Sequence, residues 1–419
     1  MSKSGSEGKS FDIPKQLVWE AYQGVKANKG AAGVDGCSIA DFESDLKNNL
    51  YKIWNRMSSG TYFPPAVRAV EVSKPHGGGT RVLGIPTVAD RVAQTVAALA
   101  LGPRTESIFH RDSYGYRPGR GPLDAVATCR ERCWRKDWII DLDVGKFFDS
   151  VDHDRIVKAA EANTTPTQRW VVLYVKRWLK APIRMPDGRL VDRDRGTPQG
   201  SAISPVLANL FMHYALDCWL EREFPAVQFE RFADDAVVHC VTERQARQVL
   251  DALGRRMTEV GLALHPEKTK IVYCKDRKRH LDYEHTSFTF LGYTFRARKA
   301  PTHDGKSMFT AFLPAVSRDA LKKMSGEIRR WRINLRTTSD IGALAEWMNP
   351  VIRGWMNFYG KFYRTELDGL LRRINTYLVR WARRKFRRLR AFKRAKRWWN
   401  GLLRRQPGLF AHWAWMTEF

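Results

Sequence analysis

The sequence predicts an α+β fold, an antiparallel sheet with helices followed by a helical region. Three observations carry that reading. Apolar runs interrupted by acids, Trp138-Ile139-Ile140-Asp141-Leu142-Asp143-Val144 and Ala236-Val237-Val238, read as strands of a buried sheet. Between and after them lie stretches with helical apolar spacing, such as Glu243 to Val260. Near the end of the chain Trp355 to Phe362 has helical spacing and Arg380 to Arg397 carries an apolar seam of helical kind, so helices follow the strands there.

Composition narrows the class. At 419 residues, 43% hydrophobic and 12% aromatic, the chain can support two or three domains with real cores. Lys plus Arg number 72 against 44 Asp plus Glu, a net charge of +28 that points to a polyanion such as nucleic acid. An anionic membrane surface is the competing partner, but no apolar run approaches the ~20 residues of a spanning helix. Met1 to Ser10 is polar and glycine-rich with no signal core. It is expected to be a disordered lead-in to a cytoplasmic protein. The six cysteines include no C-x-x-C pair, and Cys129 and Cys133 stand four apart like neighbours on one helix face. They read as small buried hydrophobes and not as zinc ligands.

From the start, Leu17, Val18, Ala21, Tyr22 and Val25 give Pro14 to Ala27 a helical stripe, which Gly33-Val34-Asp35-Gly36 ends in a turn. A helical hairpin from Ile39 to Met57 follows, with Ser38 and Asp41 placed as a cap. Val67 to Val72 alternates as a strand, and Lys74-Pro75-His76-Gly77-Gly78-Gly79-Thr80-Arg81 makes a basic glycine-rich turn before Val82 to Pro86. Lys74 and Arg81 at such a tip suit a triphosphate; an exposed hairpin with solvated charges is the other reading. Asp90 to Ala100 runs helical. Tyr114-Gly115-Tyr116-Arg117-Pro118-Gly119-Arg120-Gly121 then mixes arginines and aromatics, so Arg117 and Arg120 either contact nucleic acid or are solvated on a surface loop.

A charge in a buried strand is costly unless paired or metal-bound, which makes Asp143, at the end of its strand, a candidate metal ligand. The neighbouring backbone carbonyl of Val144 could share the ion. Asp149, Asp152 and Asp154 sit where N-terminal caps belong, and His153 reads as structural. Residues 155 to 180 read as two helices. The loop Arg195-Gly196-Thr197-Pro198-Gln199-Gly200-Ser201-Ala202-Ile203-Ser204-Pro205 feeds a long apolar helix, Val206 to Trp219, and could present Gln199 and backbone amides to a nucleotide. Arg231 to Val238 reads as a hairpin with Asp234 and Asp235 at its crest, able to fix a divalent ion. A shuffled chain of this composition produces aromatic-x-Asp-Asp in roughly one case in ten, so the motif depends on corroboration elsewhere. Gly261 to Val272 is a turn into a strand, and Phe288 to Phe295 an aromatic strand pair.

In this order the blocks resemble bacterial group II intron reverse transcriptases, from about Phe11 to the C-terminus. Asp143-Val144-x-x-Phe147-Phe148-Asp149 is similar to the first catalytic block, Gln199-Gly200-x-x-x-Ser204-Pro205 to the second, and Phe232-Ala233-Asp234-Asp235 to the third. Glu267-Lys268-Thr269 and Phe290-Leu291-Gly292-Tyr293 fall where later blocks belong. Phe232 stands where most relatives have Tyr. The resemblance implies a right-hand polymerase, with fingers over 11–134, a palm over 135–300, a helical thumb and maturase domain over 312–380 and a basic segment over 381–419. It implies that Asp143 and Asp234 bridge two Mg²⁺ ions, with Mn²⁺ as a substitute, and that Asp235 supports them. Lys74 and Arg81 would grip the triphosphate of a dNTP, Gln199 would position it, and Phe148 would crowd a ribose 2′-hydroxyl. Lys268 is a proton donor to pyrophosphate or simply a surface lysine.

The charge is concentrated at the end. Residues 321–419 hold 24 Lys plus Arg against 6 acids, +18 of the whole +28. Trp355, Phe358, Tyr359 and Phe362 at helical spacing read as a packing core. Arg353 and the dense run Arg383, Arg384, Lys385, Arg387 and Arg388 are expected to lie along a phosphate backbone. Asn349-Pro350-x-x-Arg353-Gly354-Trp355 resembles the family's maturase domain, and no His/Cys cluster follows to suggest an HNH endonuclease. The implied function is RNA-directed DNA polymerase and splicing maturase, supporting intron mobility, with intron RNA, an RNA template, a DNA primer and a DNA target as partners. Two alternatives are a relative recruited to host defence or spacer acquisition, and a splicing factor with a vestigial polymerase site.

Overall fold

A computed structural model of the chain describes residues 9–73, 80–302 and 304–419. Lys74 and most of the expected lead-in fall outside the described residues, as does the side chain of Arg81. The chain forms two compact units, residues 1–125 with 142–270, and residues 126–141 with 271–419.

The first unit opens with helices α1 (Lys15–Ala27), α2 (Ile39–Ser44) and α3 (Leu46–Ser58). Val18, Ala21, Tyr22 and Val25 are the buried face of α1, as the spacing predicts, and Ser38 and Asp41 form a reciprocal capping box on α2. The expected hairpin is two helices that meet at Asp45, whose backbone leaves the helical region. Strands β1 (Val67–Ser73) and β2 (Thr80–Ile85) pair antiparallel, and the long helix α4 (Val88–Ile108) follows, capped by Thr87. Helix α5 (Pro122–Arg135) and strand β3 (Trp138–Leu142) carry the chain through the second unit and back.

Then come α6 (Phe147–Ser150), α7 (His153–Ala162), α8 (Arg169–Lys180) and the short strands β4 (Ile183–Arg184) and β5 (Leu190–Val191), which extend the first sheet in the order β2-β1-β4-β5. The expected long helix at Val206 to Trp219 is two, α9 (Ser204–Met212) and α10 (Cys218–Glu223), joined by a π-helical turn over His213–Asp217. Such bulges displace the register of a helix face, and here Asp217 is fully buried. The hairpin β6 (Gln228–Phe232) and β7 (Asp235–Cys240) and the amphipathic α11 (Glu243–Glu259) complete the unit.

The second unit contains most of α5, β3 and β8 (Lys270–Tyr273), a three-stranded sheet of β9 (Ser287–Phe290), β10 (Tyr293–Pro301) and β11 (Met308–Val316), and the helices α12 (Arg318–Arg330), α13 (Ile341–Tyr359), α14 (Asp368–Lys385) and α15 (Phe392–Arg405). Leu291 and Gly292 both take positive φ, so β9 and β10 close through a two-residue turn whose twist matches the strands. The aromatic stripe is a packing core. Trp355 stacks on Trp331 with ring centres 5.4 Å apart, while Phe358, Tyr359 and Phe362 surround Tyr293. The expected boundary at residue 380 falls inside α14. Trp381, Trp399, Phe410 and Trp413 share one core with Ile374 and Leu378, so the basic segment is part of the helical domain.

Candidate active site

The hairpin β6–β7 turns through two residues, Ala233 and Asp234. Ala233 sits at φ +59, a left-handed conformation that costs an alanine about 1–2 kcal/mol. Arg231 holds it there. This fully buried arginine donates through Nη1 to the Ala233 carbonyl at 2.8 Å and to Asn209 Oδ1 at 3.0 Å, and grips both oxygens of buried Asp217 at 2.7 and 2.6 Å. Asn209 in turn donates to the Gly115 carbonyl at 2.5 Å. Gly115 lies so close behind the turn that a Cβ there would collide with the Ala233 backbone nitrogen. The Phe232 ring tilts against Tyr116, 6.3 Å between centres.

Asp143 follows directly on β3. Its backbone is tied at both ends: the nitrogen donates to Thr269 Oγ1 at 3.2 Å and the carbonyl accepts from His265 N at 2.8 Å. Together with Gly145 N on the Ala263 carbonyl, these bonds flank the bridge between Val144 and Leu264. In that antiparallel pattern Val144 turns its own carbonyl away from the Leu264 segment. Asp143 and Asp234 are both half-exposed and interact electrostatically. Burial raises the Asp234 carboxyl above the usual range, and the charge on Asp143 raises it further, against Arg231 and Lys268. Lys268 places its ammonium 3.2 Å from Asp143 Oδ2. Two mutually repelling carboxylates and an outward carbonyl are hard oxygen donors that fit a divalent cation. Asp235 opens β7, half-buried, paired in register with Phe232.

The Gln199 loop is stitched to the same region. Thr197 N donates to the Phe148 carbonyl and Gly196 N to the Val151 carbonyl, both at 2.7 Å. Gly196, at φ +76, lies where a Cβ would stand 2.7 Å from the Phe148 carbonyl oxygen. His153 donates to the Gly196 carbonyl at 2.8 Å, a structural role, and Asp152 caps α7 by accepting from Arg155 N. From the other side Gly84 N on β2 donates to the Gln199 carbonyl at 2.8 Å. Phe148, Gln199 and the strand bearing Arg81 are therefore neighbours, though far apart in sequence.

A family model for reverse transcriptase (RNA-dependent DNA polymerase) matches residues 72–295, more than half of the chain. The chain belongs to that family. A second model, the group II intron maturase-specific domain, matches residues 321–399, so this reverse transcriptase is of the group II intron type. Protein YkfC of Escherichia coli K12 is 28% identical over 316 residues, 65% of this chain and 78% of that protein. The group II intron-encoded protein LtrA of Lactococcus lactis subsp. cremoris is 29% identical over 199 residues, covering 47% of this chain. A putative COX1/OXI3 intron 1 protein of Saccharomyces cerevisiae is 26% identical over 254 residues, or 61% of this chain. The matches span 32% of LtrA and 29% of the yeast protein, about a third of each. Reverse transcriptases work with divalent metal ions, in keeping with the oxygen set around Asp143.

Other expected contacts of this reverse transcriptase fall differently. Arg117 is not available to nucleic acid: its buried guanidinium grips Glu106 at 2.6 to 3.0 Å and donates to the His110 and Ser113 carbonyls at 2.7 Å. Arg120 is half-exposed, bonded to the Arg111 carbonyl. Lys385 is half-buried and donates to the Ser339 carbonyl at 2.6 Å, and Arg383 donates to the Arg390 carbonyl at 2.9 Å. Arg353, Arg384, Arg387 and Arg388 are exposed. No described helix is long and apolar enough to cross a membrane. Arg231, Asn209 and Asp217 escaped the sequence reading. An arginine opening a strand motif carries no spacing that marks it as buried; the one available signal was its place immediately before the acidic turn.

Proposed function

We propose that this chain copies RNA into DNA and binds a group II intron RNA to promote splicing and mobility. The observation that supports the polymerase reading most is the meeting of Asp143 with Asp234 next to a Gln199 loop tied to Phe148. Asp143, Asp234 and the Val144 carbonyl would hold the metal, with Asp235 in support. When bound there, two Mg²⁺ ions, or Mn²⁺, would supply Lewis acidity for the primer 3′-hydroxyl and positive charge for the leaving pyrophosphate. The protein's own share is placement. Arg231 fixes the turn that aims Asp234, and Lys268 holds the Asp143 carboxylate. Gln199 would orient the dNTP, Lys74 and Arg81 would grip its phosphates, and the Phe148 ring would crowd its 2′ edge. Helices α12–α15 would serve as thumb and maturase, with Arg353, Arg384, Arg387 and Arg388 on RNA or template-primer and a DNA target.

Primer extension on an RNA template at low salt, with dNTPs and Mg²⁺, tests this directly. The parent should make DNA, and Asp234→Ala should lose about 10³-fold or more of the rate. A parent that makes none sinks the polymerase reading. Splicing of a group II intron RNA should survive Asp234→Ala, because the exposed cations that would bind RNA lie in another unit.

A further inference from the structure

The Gln199 loop has a second support, which neither the family motifs nor the metal site uses. Gln94 of α4 is 1% exposed, and its amide oxygen accepts two bonds from the loop, Ser201 Oγ at 2.5 Å and Ala202 N at 2.8 Å. An amide can do that in one orientation only, with its NH₂ turned the other way. There it meets Asp90 Oδ2 at 2.9 Å. The other oxygen of Asp90 accepts from Tyr62 Oη and Trp178 Nε1, both at 2.8 Å. Among the described residues, three neutral side-chain donors and no cation surround a carboxylate that is 1% exposed. Burial accordingly pushes the Asp90 carboxyl up to about 6. A buried anion without a countercharge is an expensive way to pack a helix. An acceptor-only group does one thing a neutral amide cannot: it forbids Gln94 from flipping its NH₂ onto the loop donors.

We propose that Asp90 and Gln94 are positioning residues for the nucleotide-binding loop, Asp90 fixing the polarity of the Gln94 amide and Gln94 fixing the seat of residues Gln199 to Ala202. The inference rests on the reading of Gln199 as the residue that orients the dNTP. The loop has little other freedom. Gly200, at φ +113, packs so that a Cβ would stand 2.6 Å from the Gly84 carbonyl oxygen, and Ser204 Oγ donates to the Pro198 carbonyl at 3.1 Å. Release of the Gln94 bonds should therefore shift the loop as a body and weaken nucleotide binding more than turnover.

The test is dNTP titration in RNA-templated primer extension by the full chain, with thermal melting to monitor folding. Asp90→Asn places an NH₂ against that of Gln94 and forces the flip; Gln94→Ala removes the seat. Each should raise the KM for dNTP about 10-fold or more and leave kcat within about threefold. The double change Asp90→Asn with Gln94→Glu restores every donor–acceptor match. The amide introduced at position 90 would then donate to the carboxylate introduced at position 94, whose second oxygen accepts from Ser201 and Ala202. This exchange should return KM to within about threefold of the parent. A destabilised helix core would not recover through it. If Gln199→Ala raises KM but Gln94→Ala does not, the positioning role is wrong and the loop reading stands. If Gln199→Ala leaves KM unchanged, both fall. Should Asp90→Asn fail to fold, Gln94→Ala and the double variant decide alone.

Discussion

The first unit buries ionisable side chains among its neutral ones: Arg231 on Asp217, Arg117 on Glu106, Glu230 hydrogen-bonded to His239, and Asp90 among neutral donors. In helices α12–α15 of the second unit and the chain end packed on them, the buried polar side chains are Asn349, Asn375 and His412, all neutral, and most of the cations are exposed. His412 donates to Asn375 Oδ1 at 2.6 Å, and the Asn375 amide donates to the Met416 carbonyl at 3.1 Å, locking the chain end into an apolar core. The contrast between the first unit and these four helices, which excludes the ion-paired Arg279 and Arg298 elsewhere in the second unit, follows from what each has to hold. A catalytic centre needs particular atoms in particular places, which directional charged bonds enforce. A surface that grips a phosphate backbone needs a stiff platform for many cations, which hydrophobic packing supplies without directional cost.

That contrast can be broken most sharply at Arg231. Arg231→Ala leaves the buried carboxyl of Asp217 without its guanidinium partner, and should cost about 3–5 kcal/mol in urea unfolding along with nearly all polymerase activity. A fully active, equally stable variant would show that the buried ion pair holds nothing. In the second unit Trp381→Ala opens a cavity in an apolar core, for a comparable ~3–5 kcal/mol, but should reduce RNA binding through unfolding of the helices and leave no misplaced charge.

Acid distinguishes the units by sign. Burial pushes the His412 imidazole down to about 3. Below the unfolded value of about 6.5 the unfolded chain takes up that proton first, so stability is lost progressively as pH falls. Asp90 is raised to about 6 from 3.8, so its folded-state advantage is full below the unfolded value and is lost as pH rises through about 6. As pH falls from 7 to 5, hydrogen exchange corrected for its intrinsic pH dependence should speed up in peptides around His412 and slow down around Asp90. Equal slopes in both would remove the contrast. The smallest effect belongs to single surface cations. Arg387→Ala or Arg388→Ala should lower the slope of log affinity for RNA against log salt by about 1 each, with no change in melting temperature.

The elements that position the site were legible where a period or a turn residue announced them. The stripe of α1, the amphipathic α11 and the Leu291-Gly292 turn stand where local pattern placed them, whereas the hairpin expected to crest at Asp234 and Asp235 turns one residue earlier, at Ala233 and Asp234, with Asp235 already in β7. Strand β11 went unread because Met308 to Val316 is apolar over most of its length and contains Pro314, so it lacks alternation. The break over His213–Asp217 was hidden within a continuous apolar helix pattern, and its consequence, the inward Asp217, depends on a buried arginine from another element. Arg117 misled for the converse reason. Its flanking aromatics and glycines suggest a nucleic-acid surface, whereas the partner that buries it, Glu106, lies eleven residues away across a helix end. Long-range pairing of charges is the information that a local reading lacks.

The space a side chain at Gly115 would need is taken by the backbone of the Ala233-Asp234 turn. Two segments more than a hundred residues apart are thereby sterically coupled: a change that adds bulk at Gly115 must be met by a shift of the turn at Ala233. Libraries that diversify either segment alone would be populated with enzymes whose carboxylates have moved, and gains in fidelity or template range from this turn should come from paired changes on both sides of it.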